Sequence, residues 1–534
     1  MSESKSQNYL HGAAILAVGV VIMKILGFLY KMPIGNIIGD DGYSMFLATY
    51  NIYNVFLSLA TAGLPIALSR LISEANAEGR PMQVRRTFTV AWRLFFWIGL
   101  FCTAIMLLLP EWMATSILHN PPTAMSIRAM APAVLLVCLV SAYRGYCQGC
   151  GNMIPTTVGQ VLEVLVKVVV GLVLAYIAMN MGLGKAMGSA GAIFGVTMGS
   201  LAALIYMWAY KRRNYKEDPT ADDVPDSNRH ILRRLLRIGI PIALGSSVLA
   251  LLNLVDSSLC MGRLQSAAGY SLESAQTLYG VYGKAQTIFN LPAAIITPMT
   301  ISVVPAIAAA MVRGENDGAT KISEDSMRIA SVLSMPMGVG LAVLSAPIMR
   351  IIYPTSHASG PALLAIMGVA SFFVCIVLME NAVLQAFGKE LLPMYSMITG
   401  GVVKIVINWF LVADPDINIY GAPIGTLVSY VVMAVMNFVF MCKVLDKNPR
   451  LGTICGKPML CSIIMGACAW AVYGLGSKFI GDTGRLSLLV CLVLAMGVAV
   501  AVYMIAAISS RAITAADMEL IPGGKKIARL LHMN

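Results

Sequence analysis

Long apolar runs alternate with short polar segments along the whole chain. Each run has about 20 residues or more, enough for a helix to cross a hydrocarbon core of roughly 30 Å. Lipid offers no hydrogen-bond partners to the edges of an open sheet, so helices are the expected spanning elements. We therefore predict an all-α integral membrane protein with about fourteen transmembrane helices. The predicted spans are 10–33, 43–69, 88–109, 125–147, 155–180, 186–210, 236–261, 277–311, 327–352, 360–387, 392–413, 420–442, 458–478 and 486–508.

The second half of the chain repeats features of the first. Gln148 and Lys167 are 19 residues apart, as are Gln385 and Lys404. A period of 230 to 237 residues contains six spans, so corresponding spans have the same orientation. We predict two pseudo-symmetric six-helix lobes followed by two further helices. The predicted regions are an N-terminal lobe over 1–210, a cytoplasmic linker over 211–235, a C-terminal lobe over 236–443, a helix pair over 458–508 and an amphipathic cytoplasmic tail over 511–534.

Composition and charge narrow the class of protein. With 58% hydrophobic and 12% charged residues and a mean hydropathy of +0.77, the chain is too apolar for an ordinary soluble protein. The net charge of +12 does not indicate nucleic-acid binding, because most of the 38 basic residues lie in short loops on one side of the predicted spans. This asymmetry predicts that both termini are cytoplasmic. The polar start and the uncleaved first apolar run predict a retained span rather than a signal peptide.

Four lysines interrupt apolar segments: Lys24, Lys167, Lys284 and Lys404. A cation within the bilayer is costly, so its default interpretation is functional, and these lysines point to an interior that holds an anion. Snorkelling to the cytoplasmic surface is the alternative for Lys24. Lys167 follows Glu163 by one helical turn, and an ion pair within the helix is the structural alternative there.

Other charges in apolar sequence suggest separate roles. If the first and eighth spans face one cavity, Lys24 and Lys284 could share a diphosphate, and Arg263 either extends that path or lies at the surface. Asp256 and Glu380 are the acids deepest in apolar sequence, where a carboxylate is paired, protonated or an ion ligand. They are our candidates for a coupling cation, Na⁺ or H⁺, or for pairing with a lysine.

Two spans contain residues that allow a helix to bend. Gly27 and Pro33 lie in the first span and Pro298 in the eighth, and all three are candidate hinges. We find no phosphate-binding glycine loop, metal cluster or nucleophile triad. The sequence therefore predicts no enzyme activity, no metal and no cofactor, with the coupling cation or the membrane potential as the energy source.

Several motifs resemble one known group of membrane proteins. The stretch 12–74, including Lys24-Ile25-Leu26-Gly27, and the stretches 291–306 and 385–408 are similar to the stage V sporulation protein B and YtgP group. That group belongs to the MOP (multidrug, oligosaccharidyl-lipid, polysaccharide) exporter superfamily, which also contains the MurJ lipid II flippases. The resemblance extends over nearly the whole chain.

The resemblance implies a flippase in the plasma membrane of a bacterium. Its substrate would be an undecaprenyl-diphosphate-linked cell-wall precursor, lipid II first, moved between leaflets by alternating access of the two lobes. Lys24 and Lys284 match cavity-facing arginines of MurJ proteins. The chain departs from that pattern at a second first-span arginine, where it has Tyr30 followed by Lys31, and Lys31 is a further candidate for substrate binding. The last two spans would form a groove for the prenyl tail. Further expected partners are anionic lipids, which would bind the amphipathic tail over 511–534, and cell-envelope synthesis proteins. The protein itself is expected to be a monomer.

Three alternatives stay open at this point. The first is an ion-coupled drug or metabolite antiporter of the same superfamily, which Asp256 favours and Lys24 disfavours. The second is a flippase for another lipid-linked polysaccharide unit. The third is a scaffold without transport activity, which predicts that neutralising Lys24 and Lys284 has no effect.

Overall fold

The computed structural model describes residues 19, 22–23, 25–215, 223–445, 452–480 and 484–510. Lys24, half of the first predicted span and the predicted tail over 511–534 lie outside these residues. The described residues form helices and contain no strand, which confirms the predicted all-α class. Thirteen helical segments among them are long and apolar enough to cross a membrane, and they coincide with the second to fourteenth predicted spans. The chain is a multi-pass membrane protein.

The helices are numbered in chain order, with short 3₁₀ and π segments between some of them. The first part of the chain contains α1 (25–37), α2 (Gly39–Thr61), α3 (Leu64–Ala77), α4 (Pro81–Leu108), α5 (Pro110–Trp112), α6 (Ala124–Gly149), α7 (Ile154–Asn180), α8 (Lys185–Asn214) and α9 (Asn228–Ser266). The second part contains α10 (Leu272–Phe289), α11 (Leu291–Val312), α12 (Asn316–Val343), α13 (Ser345–Ile352), α14 (Gly360–Ala386), α15 (Leu391–Leu411), α16 (Gly421–Val444), α17 (Lys457–Ile480) and α18 (Arg485–Ser509).

The chain forms two compact units that divide between Gly283 and Lys284, within α10. In the first unit α4 packs on α6, α6 on α8 and α8 on α7, and in the second α12 packs on α14, α14 on α16 and α16 on α15. Helix α6 ends at Gly149 and α14 ends at Ala386, a shift of 237 residues, which is also the shift between the two glutamine–lysine pairs of the sequence. The predicted internal repeat therefore has a counterpart in helix bounds and neighbours. The exact lobe boundaries stay a prediction.

The second predicted span is broken in the structure. Helices α2 and α3 are separated at Ala62 and Gly63, and together they form one spanning segment from Gly39 to Ala77. A Cβ atom at Gly63 would lie 2.0 Å from the carbonyl oxygen of Gly239 in α9. Only glycine permits this close approach, which brings the two helices together in the core of the first unit.

The eighth predicted span, 277–311, is two helices rather than one. Helix α10 ends at Phe289, and α11 begins at Leu291 with Pro292 in its first turn. Proline has no backbone N–H and is accommodated where a helix begins, so it starts a new helix here instead of continuing the old one. Pro298, the predicted hinge, lies inside α11. Gly27 and Pro33 lie inside α1, and their hinge role stays a prediction.

The described part of the predicted linker holds the ends of three helices of the first unit together. Asp223 accepts hydrogen bonds from the backbone N–H groups of Met82 and Gln83 at the start of α4, at 2.8 and 2.9 Å. These bonds satisfy donors that a helix N-terminus otherwise leaves without partners. Arg234 of α9 donates to Glu74 of α3 at 2.6 Å. Ser227 caps α9 by accepting a hydrogen bond from the backbone N–H of His230, and the helix begins at Asn228, earlier than its predicted start at 236.

Candidate functional site

Two lysines of the first unit lie around Tyr30: Lys31, the next residue along α1, and Lys167 of α7. Lys31 is on α1, next to Tyr30, whose hydroxyl donates to the carbonyl oxygen of Ala192 at 2.7 Å. The Lys167 ammonium lies 5.7 Å from the centre of the Tyr30 ring, within the range of a cation–π interaction. Among the described residues, neither lysine has an ion-pair partner within 4.0 Å. An apolar surrounding with two like charges favours an anion between or beside them.

The acid expected to pair with Lys167 has another partner. Glu163 accepts a hydrogen bond from Arg144 of α6 at 2.7 Å and from Ser200 of α8 at 3.2 Å. Both charged side chains are largely buried, with 15% of Arg144 and 19% of Glu163 exposed. The ion pair between Glu163 and Lys167 within α7 is therefore not formed. The guanidinium provides several donors in a rigid fork, so it satisfies a partly buried carboxylate better than a flexible ammonium does.

We call Lys31, Arg144, Glu163 and Lys167 the interior cation cluster. It contains three basic side chains and one acidic side chain, so it carries a net positive charge. Arg144 was missed as a site residue, because its place at the cytoplasmic end of a predicted span suggested an orientation signal. Its position 19 residues before Glu163, across a short loop that returns the chain, was the available indication that the two would meet.

The second unit has a buried lysine of its own. Lys284 is fully buried, and its ammonium lies 5.0 Å from the centre of the Tyr353 ring, at the end of α13. Lys404, on α15, is partly buried. Each unit thus places a lysine from an apolar helix beside a tyrosine ring, where the ring face offsets part of the cost of burying the charge.

Glu380 of α14 is the most deeply buried acid of the second unit among the described residues, at 1% exposed. Asn437 of α16 is its hydrogen-bonding neighbour and donates to Asn381 at 2.8 Å. In the described residues the second carboxylate oxygen of Glu380 and the amide oxygen of Asn437 have no hydrogen-bond donor. Two such oxygens in a dry interior suit a proton or a small cation.

The remaining predicted site residues lie on α9. Asp256 is 6% exposed, and Arg263 is partly buried near the outer end of the helix. Ser257, the residue after Asp256, accepts a hydrogen bond from Tyr279 of α10 at 2.8 Å. Across the part of the chain that the structure describes, no group of three or more histidine, cysteine, aspartate or glutamate side chains could hold a metal ion.

An apolar groove of about 520 Å³ lies in the second unit. Val332 and Met337 of α12 form one side and Met496 and Val500 of α18 the other. Tyr503 also lines it, but its hydroxyl donates to the carbonyl oxygen of Val332 at 2.7 Å and so presents no polar group to the groove. The groove suits a hydrocarbon chain, because its walls have little to offer a polar ligand.

Comparison with known proteins finds a family and several membrane proteins to which the chain is similar. A family model described as polysaccharide biosynthesis protein matches residues 9–311. The stage V sporulation protein B of Bacillus subtilis (strain 168) is 26% identical over 451 residues, covering 83% of this chain and 86% of that protein. The lipid II flippase MurJ of the same organism is 24% identical over 526 residues, covering 93% of this chain and 95% of that protein. The resemblance stated from the sequence motifs is confirmed.

Solved structures show the same fold. MurJ in an inward closed conformation has a TM-score of 0.69 at 14% identity, covering 93% of this chain and 99% of that one. A multidrug resistance MATE family transporter of the MOP superfamily, in an inward-facing conformation, has a TM-score of 0.67 at 16% identity. It covers 81% of this chain, and 98% of its own chain is matched. The fold is therefore like that of MurJ and of this MATE family transporter.

Proposed function

Because the chain belongs to the polysaccharide biosynthesis protein family, we propose that it is a flippase for a polyprenyl-diphosphate-linked glycan. Lipid II, the substrate that the name of the relative MurJ gives, is our first candidate, and another lipid-linked polysaccharide unit is the second. The substrate would pass from the inner to the outer leaflet by alternating access.

The interior cation cluster is the observation that carries this proposal. A diphosphate has two adjacent anionic groups, and Lys31 and Lys167, on either side of Tyr30, offer two ammonium groups. Glu163 forms its ion pair with Arg144, and among the described residues no ion pair within 4.0 Å joins Glu163 to either lysine. Hydrogen bonds between charged groups contribute about 1.5–3 kcal/mol each, enough to draw a diphosphate from the membrane surface into the protein.

The apolar groove of the second unit supports the same substrate class. A polyprenyl tail of dozens of carbons cannot enter a polar cavity without a large free-energy cost, at roughly 0.8 kcal/mol for each CH₂ group. A groove of about 520 Å³ between α12 and α18 would hold part of the tail while the rest stays in lipid. The groove alone matches the hydrocarbon part of a lipid-linked diphosphate.

We place the protein in the plasma membrane of a bacterium, with both termini in the cytoplasm and as a monomer that can work beside cell-envelope synthesis proteins. The basic loops support this orientation. Glu380 is our candidate for the coupling cation, because its free oxygen and that of Asn437 could take up a proton or Na⁺. The membrane potential could supply about 2.3 kcal/mol for each charge moved through 100 mV.

The decisive experiment measures whether lipid II reaches the outer leaflet in cells that depend on this chain as their flippase. An enzyme that cleaves lipid II is added outside, and the cleaved fraction is compared between wild type and Lys31→Met/Lys167→Met. We expect the fraction to fall at least tenfold at equal membrane abundance. The matched control is Lys321→Met/Lys478→Met, which removes two exposed lysines. In cells with this control, the cleaved fraction of lipid II should equal that of wild type. Wild-type cleavage in the first variant would refute the cation-cluster mechanism.

An antiporter for organic cations is the second candidate, favoured by the MATE-like fold and by the buried Asp256. The same cells distinguish the two functions if they are also loaded with a fluorescent organic cation. Efflux that is lost in Asp256→Asn, with lipid II cleavage absent throughout, would favour the antiporter.

A further inference from the structure

We propose that the cytoplasmic end of α9 is a docking site for the diphosphate head of a polyprenyl lipid before it enters the protein. The site consists of Arg229, Arg233 and Arg237, which we call the arginine stripe. This inference rests on the proposed function, because it assigns a loading step to the same substrate class. It does not involve the interior cation cluster.

The arginine stripe occupies one face of α9. Its three members are spaced four residues apart, so their side chains project from successive turns, about 6 Å apart along the helix. All three are exposed, and in the described part of the chain none has an acidic partner. Like charges at this spacing destabilise a helix. Arg234, one residue after Arg233 and on another face of the helix, forms an ion pair with Glu74 at 2.6 Å. An arginine of α9 that stabilises the fold thus has an acidic partner, whereas the stripe has none among the described residues.

Apolar residues accompany the stripe. An open groove of about 710 Å³ lies along this face. It is lined by the arginine stripe together with Leu232, Leu236, Ile240 and Pro241. All of these residues belong to α9, so no other described helix provides the opposite wall. Ile240 is 48% exposed and Leu244, one turn further, is 57% exposed, so the apolar face continues along the helix. The groove therefore suits an amphipathic ligand with an anionic head and a hydrocarbon tail.

The length of α9 places the stripe at the membrane surface. The helix has 39 residues and a length of roughly 58 Å, while the hydrocarbon core is roughly 30 Å thick. The first turns consequently extend beyond the core on the side that the basic loops mark as cytoplasmic. The three guanidinium groups then follow one another along the membrane normal.

This arrangement favours a diphosphate over an ordinary phospholipid. A phospholipid carries its phosphodiester at one depth, where it meets one turn of the helix. In a polyprenyl diphosphate the two phosphates follow one another between the tail and the head, so they can meet successive turns. Each guanidinium fork can bind a phosphate through two hydrogen bonds, which a lysine at the same place could not do.

The test measures binding of a labelled polyprenyl diphosphate to the purified full chain in phosphatidylcholine nanodiscs. We compare wild type with Arg229→Gln/Arg233→Gln/Arg237→Gln. The matched control, Arg212→Gln/Arg213→Gln/Lys321→Gln, removes three exposed cations from other helix ends. We expect the stripe variant to bind roughly 100-fold more weakly, since each basic residue near an anionic surface contributes about a factor of five. The control should bind like wild type.

Two competitors identify the source of the anion. Phosphatidylglycerol at the same charge density and inorganic diphosphate in solution should each displace the labelled lipid poorly. Equal displacement by phosphatidylglycerol would make the stripe a general phospholipid site, and equal displacement by inorganic diphosphate would remove the role of the tail. Either result overturns the proposal, as does unchanged binding in the stripe variant.

Transport kinetics separate this inference from the proposed function. The stripe variant should need more substrate for half-maximal flipping while reaching the wild-type maximal rate, whereas Lys31→Met/Lys167→Met should lower the maximal rate. Wild-type half-saturation in the stripe variant would refute the docking site and leave the flippase intact. Lipid binding at the stripe without any flipping by the wild-type protein would refute the flippase function and retain the docking site.

Discussion

The α6–α7 pair of the first unit and the α14–α15 pair of the second have corresponding helix bounds but different polar interiors. A shift of 237 residues carries Arg144 onto Asn381 and Glu163 onto Gly400. In the first unit this place holds an ion pair at 2.7 Å, and in the second an asparagine that accepts from Asn437 at 2.8 Å. The repeat therefore preserves how the helices pack while the chemistry of their facing side chains has diverged.

This difference assigns the two units different tasks in the proposed mechanism. Both units have a lysine at the equivalent position, Lys167 on α7 and Lys404 on α15. On α7 an acid, Glu163, lies one turn before the lysine, and on α15 the residue at that position is Gly400. The first unit uses that acid to hold Arg144, which leaves its lysines for an anion. The second unit buries Glu380 instead, beside amide groups rather than a guanidinium. A site for the substrate head and a site for a coupling ion can thus arise from the same helix arrangement.

Breaking the ion pair should have the largest effect on stability. Arg144→Met leaves Glu163 as a largely buried charge without its partner, and we expect the free energy of unfolding in detergent to fall by about 3 kcal/mol. The corresponding change in the second unit, Asn381→Met, removes a neutral hydrogen bond and should cost about 1 kcal/mol. The double variant Arg144→Met/Glu163→Met should recover most of the first loss. Equal losses for the two single variants would show that the units do not differ as described.

The sequence was sufficient for the fold but only partly for the site. Apolar runs and repeated spacings predicted the spans and the repeat, because the bilayer imposes length and apolarity on every spanning helix. They did not reveal the breaks at Gly63 and Asn290, since these depend on the close approach of another helix or on where a proline is accommodated.

Partners of charged residues are the other part that sequence reasoning could not supply. Glu163 and Lys167 have ideal spacing within one helix, yet Arg144 on a different helix takes the acid. Contacts between side chains on different helices depend on how the helices pack, and a single sequence does not reveal that packing. Lys24, the first candidate of the sequence, lies outside the described residues, and its role stays a prediction.

Adding a methyl group where two helices pack closely should have an effect of intermediate size on the free energy of unfolding, and this effect can be compared between the two units. A Cβ atom at Gly195 would lie 2.6 Å from the Cα atom of Gly171, and one at Gly425 would lie 2.1 Å from the side-chain oxygen of Asn408. Backbone cannot move aside as a side chain can. We expect Gly195→Ala to lower the free energy of unfolding by about 2 kcal/mol and Gly425→Ala by about 1 kcal/mol.

Thermal unfolding of both glycine variants in the same detergent checks this order. Val196→Ala, which removes atoms beside the first glycine without adding any, is the control for general sensitivity of α8 and should cost about 1 kcal/mol. A larger loss for Gly425→Ala than for Gly195→Ala would mean that the second unit is packed more rigidly than the first.

Glu380 gives the smallest and most specific effect, and Glu163 is the comparison for it. Glu163→Gln removes the charge that Arg144 requires and should lower the free energy of unfolding by about 2 kcal/mol. Glu380→Gln replaces a carboxylate oxygen that has no donor in the described residues with an amide that can donate to the oxygen of Asn437. We expect its free energy of unfolding to change by less than about 0.5 kcal/mol, because the substitution keeps the shape of the side chain.

The same Glu380→Gln variant should nevertheless lose the dependence of flipping on a Na⁺ or proton gradient, since an amide cannot take up the neutralising ion. The measurement is the flipping rate in vesicles with each gradient imposed in turn, with Glu163→Gln as the comparison. If a coupling ion binds in the second unit, the dependence of flipping on the gradient should disappear in Glu380→Gln and persist in Glu163→Gln. If gradient dependence persists there, Glu380 is a structural acid, and the two units differ in stability but not in task.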